Sequence, residues 1–159
     1  AQQENVGICL QAYLHRTTAD LEALLPRTTA IRLVKGAYKE PAEAALQRKQ
    51  DVDANYLSCA TRLLEAAKTG GLGYVPAFAT HDVAIIKEIK RRAEQLGVPQ
   101  SGYEFQMLYR IRQDEQRSLN REGYRLRVLI SYGSAWFAWY MRRLAERPEN
   151  VWFVVKSLF

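Results

Sequence analysis

Five times along this chain a short apolar run is followed by a run with helical spacing, and that alternation limits the fold more than any other feature. Val6 to Tyr13 is apolar and strand-like. Thr17 then opens a helix, with Asp20 three positions on in the manner of a capping box, and Pro26 closes it. Thr29 to Val34 is the second strand. The helix expected from Asp51 to Lys68 places Val52, Tyr56, Cys59 and Leu63 on one face, and Gly70-Gly71 ends it. Tyr74 to Ala79 is the third strand. Asp82 follows as the N-cap of a helix carrying Ile85, Ile86, Ile89, Ala93 and Leu96, stopped by Gly97 and Pro99. Tyr103 to Leu108 and Arg125 to Ser131 are the last two strands. Their helices run over Gln113 to Glu122 and Ala135 to Glu146, the second halted by Pro148.

Strict βα alternation implies a parallel sheet covered by helices, with strands apolar on both faces. An open doubly wound sheet fits that pattern, and so does a piece of a barrel. A closed eight-unit barrel takes about 250 residues, whereas this chain has 159. It is therefore expected to form one partial domain over residues 1–159, with three units supplied in cis or by another chain. The chain is 48% apolar and 25% charged, as in soluble globular proteins. No apolar run approaches the roughly 20 residues of a membrane-spanning helix. Cys9 and Cys59 lie in apolar runs without metal-ligand spacing, so both are expected as buried, reduced thiols. The net charge of +6 favours anionic ligands, but the basic residues are mixed with acids, so nucleic acid is not an expected partner.

In either parallel architecture the ligand sits at the carboxyl ends of the strands. There the sequence places Gln11, the stretch from Arg32 to Tyr38, Thr80 and His81, Glu104 and Gln106, and Ser131 to Gly133. Arg32 stands inside an apolar strand, where a guanidinium needs either a structural salt bridge or a bound anion. Lys35 points the other way and reads as a rim lysine, a phosphate contact or a Schiff-base amine. Gly36 would let a ligand approach the backbone closely. Thr80 and His81 precede a helix N-terminus that would favour phosphate. Arg142 and Arg143, with aromatic neighbours on the last helix, suit a small carboxylate. A solvated basic face or a membrane-interface helix are the alternatives.

The stretches LQAYLHR, IRLVKGAYKEP, AFATHD, YEFQMLY and YMRRLAERPENVWFVVKSLF, in this order from Val6 to Phe159, resemble the proline dehydrogenase family. The resemblance implies the last five units of a (β/α)8 barrel with non-covalent FAD. In it, L-proline gives hydride from C5 to flavin N5, and a membrane quinone reoxidises the flavin. It implies a catalytic role for Arg32 and FAD contacts from Gln11, Lys35, Gly36, Ala37, Thr80, His81, Gln106 and Glu146. It also implies a proline carboxylate clamp from Arg142 and Arg143, with Tyr38 and Trp139 as pocket walls. The expected location is peripheral, on the cytoplasmic face of a bacterial inner membrane or its mitochondrial equivalent.

The sequence departs from the family pattern at several positions. Leu129 stands where a pocket tyrosine is usual, Ser131 for proline, Arg110 for glycine, Ala138 for proline and Trp139 for tyrosine. The first three units, with a substrate-site lysine and an aspartate near the flavin, are not in this sequence. Three rival readings follow: a hydroxyproline or other imino-acid dehydrogenase, a Schiff-base barrel using Lys35, and a degenerate barrel that binds a membrane or partner.

Overall fold

The computed structural model describes residues 6–27, 30–38, 40–69, 74–136 and 138. Five strands, β1 (Gly7–Gln11), β2 (Ala30–Val34), β3 (Ala77–Ala79), β4 (Glu104–Leu108) and β5 (Arg125–Leu129), form one sheet in sequential order. Every neighbouring pair is parallel. The connections carry α1 (Thr17–Leu24), α2 (Lys49–Lys68), α3 (Val83–Leu96) and α4 (Gln113–Arg121). A sequential all-parallel sheet whose strands are joined through helices is the (β/α)8 barrel plan, here over five strands and the four helices that connect them.

Register separates the two faces. Leu10, Ile31, Leu33, Phe78 and Phe105 point outward and are buried under α1, α2 and α3. Tyr56, Cys59, Ala60, Leu63 and Leu64 of α2 meet them, as do Ile85, Ile86, Ile89 and Ala93 of α3. Phe78, Tyr103, Phe105 and Tyr124 stack as tilted and edge-on rings at 5.6–6.4 Å between centroids. The inward face is different. Cys9, Arg32, Glu104 and Arg125 fall in one register layer; Gln11, Val34, Gln106 and Arg127 fall in the next. The expectation of strands apolar on both faces is therefore corrected: the lumen side is polar and charged.

Three local expectations also change. Thr17 does not cap α1; its hydroxyl donates to Gln11 O at 2.5 Å, while Asp20 is held by Arg16. Cys9 is exposed on the lumen side rather than buried, although both cysteines are free thiols. Arg110, in place of a glycine, adopts φ 63°. Asp82 caps α3 as expected, accepting from Ala84 N and Ile85 N, and Gly97 ends that helix at φ 71°. Gly70-Gly71 and most of the last expected helix lie outside the described residues.

Candidate active site

The carboxyl ends of the strands open into one concave cavity of about 1060 Å³. Gln11, Arg32, Lys35, Gly36, Ala37, Tyr38, Thr80, His81 and Gln106 all line it. The loops that bring them there are anchored by the sheet itself. Ala12 N and Tyr13 N donate to Val34 O and Lys35 O, carrying the β1–β2 pairing beyond the last strand residues. Ser131 to Gly133 are not among the lining residues, although Leu129 and Ile130 are. Glu146, Arg142, Arg143 and Trp139 lie outside the described residues.

Arg32 makes no ion pair with a carboxylate among the described residues. Its Nε donates to Gln106 Oε1 at 2.6 Å, and Nη1 donates to Cys9 Sγ at 3.4 Å. To reach Gln106 it crosses β3, and it can do so because β3 presents only Ala77 and Ala79 to the lumen at those registers. Gln106 Nε2 in turn donates to Glu104 Oε1 at 2.5 Å.

Lys35 is not an ordinary rim lysine. It is 8% exposed, with Nζ 2.5 Å from Asp53 Oδ1 and 2.8 Å from Asp82 Oδ2. Lys49 also bonds Asp53 and lies 3.6 Å from Asp82. The Lys35 amine is thus engaged by two carboxylates, which removes the uncompensated amine that Schiff-base chemistry needs. Burial pushes the Asp82 carboxyl up. The Lys35 bond and charge, the Ile85 N–H and Lys49 outweigh that and hold it below the usual carboxylate range. The same carboxylate accepts from Ala84 N and Ile85 N, so these two N–H groups at the start of α3 are already satisfied within the chain.

Gly36 has φ 122°, and a Cβ there would lie 2.3 Å from Tyr13 Cδ1. The close approach that requires glycine is therefore the buried Tyr13 ring. Thr80 is buried, and its Oγ1 accepts from Asp82 N at 3.1 Å. His81 Nε2 accepts from Leu108 N at 2.8 Å. A backbone amide only donates, so the ring is in its neutral form with the proton on Nδ1. No sequence signal marked Asp53 or Lys49 as partners of Lys35. The period-two spacing of Arg125, Arg127 and Leu129 was the available signal that Arg127 faces the lumen.

These features define a parallel β/α-barrel segment with a cationic, ligand-sized hollow at the strand ends. The family model described as proline dehydrogenase matches residues 1–156, and the chain belongs to that family. It is 43% identical over 155 residues to proline dehydrogenase 2 of Bacillus subtilis subsp. natto, covering 98% of this chain and 49% of the relative. It is 44% identical to the proline dehydrogenase of Deinococcus radiodurans, over 98% of this chain and 48% of that protein. The chain thus spans about half the length of these relatives. Among solved structures it is similar to proline utilization A from Bdellovibrio bacteriovorus, inactivated by N-propargylglycine. That likeness has a TM-score of 0.78 and 33% identity, covering 87% of this chain and 16% of that one.

Proposed function

We propose that this chain forms part of an FAD-dependent enzyme that oxidises L-proline to Δ1-pyrroline-5-carboxylate. The observation that carries the proposal is Arg32, a lumen-facing guanidinium held by neutral partners in a cavity that opens at the strand ends. The donor set fits a dinucleotide. Lys35 and Lys49 are paired with Asp53 and Asp82, and Arg127 with Glu104, so Arg32, bonded to a thiol and an amide, is the lining cation suited to a ring that takes on negative charge.

In this reading Gln11, Gly36, Ala37, Thr80, His81 and Gln106 would hold the FAD, and Lys35 would contribute through its backbone. Arg32 would supply positive charge beside the ring. FAD, when bound, supplies the two-electron acceptor for hydride from proline C5. Tyr38 is a wall of the substrate pocket. Arg142, Arg143, Trp139 and Glu146 keep the roles that the family resemblance implies. A quinone as final acceptor, and a place at a membrane surface, complete the proposal on family grounds.

Leu129 lines the cavity and is 50% exposed, which makes that wall apolar where the family usually has a tyrosine hydroxyl. This favours testing hydroxyproline beside proline. The full-length protein, reconstituted with FAD, should reduce an artificial dye acceptor with L-proline and release a pyrroline product. A flavin-replete protein that reduces the dye with hydroxyproline alone would replace the substrate. One that reduces it with neither imino acid would overturn the proposal.

A further inference from the structure

The lumen face carries a continuous chain of hydrogen bonds running back from Arg32 to a buried carboxylate. Arg32 Nε donates to Gln106 Oε1 at 2.6 Å. A primary amide that accepts on its oxygen must present its NH2 elsewhere, and here Gln106 Nε2 meets Glu104 Oε1 at 2.5 Å. Glu104 is 8% exposed. Arg127 grips it from β5, with Nε 3.1 Å from Oε1 and Nη2 3.2 Å from Oε2.

The order of donors and acceptors has one consistent direction. A carboxylate offers only acceptors, so Glu104 fixes the Gln106 amide with NH2 toward itself and C=O toward Arg32. Were the amide reversed, its NH2 would face the guanidinium N–H and its oxygen would face the carboxylate, two repulsive contacts in place of two bonds. With an apolar residue at 104 the guanidinium alone would select that orientation, and the amide would lose the anchor on its NH2 side.

We infer that Glu104 is a positioning residue for Arg32, acting through Gln106 to hold the guanidinium oriented in the lumen. The inference rests on the proposed function only for what Arg32 does; the orientation itself is independent of any flavin.

The test is made on the full-length flavin-free protein with 15N-labelled arginine, the Arg32 Nε–H signal being assigned by its loss in Arg32→Lys. Glu104→Leu should speed solvent exchange of Arg32 Nε–H by about tenfold or more, the scale expected when one charge-supported bond is lost. The Leu108 amide, on the same strand and bonded to His81, should change less than about twofold, because β4 itself stays paired. Glu104→Gln keeps the shape of the side chain and a polar partner for Arg127, and serves as the second variant should leucine not fold. It should give a smaller rise, about threefold, since a neutral acceptor holds the amide less firmly. An unchanged Arg32 signal in Glu104→Gln or Glu104→Leu overturns the inference. So does an equal rise at Arg32 and Leu108, which would make Glu104 a general prop of the strand. Because neither signal needs bound FAD, a protein that fails to bind flavin refutes the proposed function without touching this result.

Discussion

Arg110 occupies the left-handed region, with φ 63°, on the loop between β4 and α4. A residue with a Cβ is strained there by roughly 1–2 kcal/mol, and glycine escapes most of that cost. The guanidinium returns little of it: it lies 5.7 Å from the Tyr109 ring centroid at an exposed site. Arg110→Gly should therefore stabilise the fold by about 0.5–1 kcal/mol after the entropy that glycine adds to the unfolded chain. A rise in Tm of roughly 1–4 °C is the expected reading. Arg110→Ala keeps the strained φ and should gain nothing, so equal Tm shifts for the two variants would contradict this account. Arg110 was legible in the sequence as a departure from the family glycine. Its conformation explains why glycine is the residue that suits the loop. Gly36 shows the reverse. Its identity suggested a ligand against the backbone, while the space its missing side chain leaves is filled by Tyr13 from another strand end.

At the scale of elements, strand order and helix faces follow from periodicity. Apolar spacing in α2 and α3 picks out Tyr56, Cys59, Leu63, Ile85, Ile86, Ile89 and Ala93, all buried in the core, whereas Val52 and Leu96 are only half-buried. What periodicity could not supply is which strand-end side chains meet. Arg32 and Gln106 are 74 residues apart, and Lys35 and Asp82 are 47. Those pairings depend on sheet order and on the small side chains of β3. The Lys35–Asp82 contact joins the end of β2 to the cap of α3, and its strength depends on pH. The Asp82 carboxyl titrates below its ordinary value in the fold. The stability it lends is thus present above the unfolded value of about 4 and is lost as pH falls through the folded value. Asp82→Asn preserves the cap but removes the charge facing Lys35. The variant should have a lower Tm than the parent at neutral pH, and the gap should close as pH drops below about 4. A gap that stays constant with pH would mean that the ion pair contributes nothing to stability.

For the whole molecule, the sheet is a five-stranded parallel wall with an apolar face buried under helices and a charged face on the other side. Nine of the residues picked from strand ends and family motifs line its cavity together: Gln11, Arg32, Lys35, Gly36, Ala37, Tyr38, Thr80, His81 and Gln106. The rule that parallel strands place ligands at their carboxyl ends made that gathering legible without knowing any contact. Glu104 and Gln106 were legible together late in their strand, whereas the part of Arg127 was not, because only the β4–β5 register sets it beside them. The role proposed for this lumen is to hold a flavin that accepts electrons from proline. The most direct measurement is the visible spectrum of the full-length protein before and after anaerobic addition of L-proline. Flavin absorbance that bleaches with proline is the predicted result; a folded protein whose flavin stays oxidised, or that binds no flavin, would contradict it.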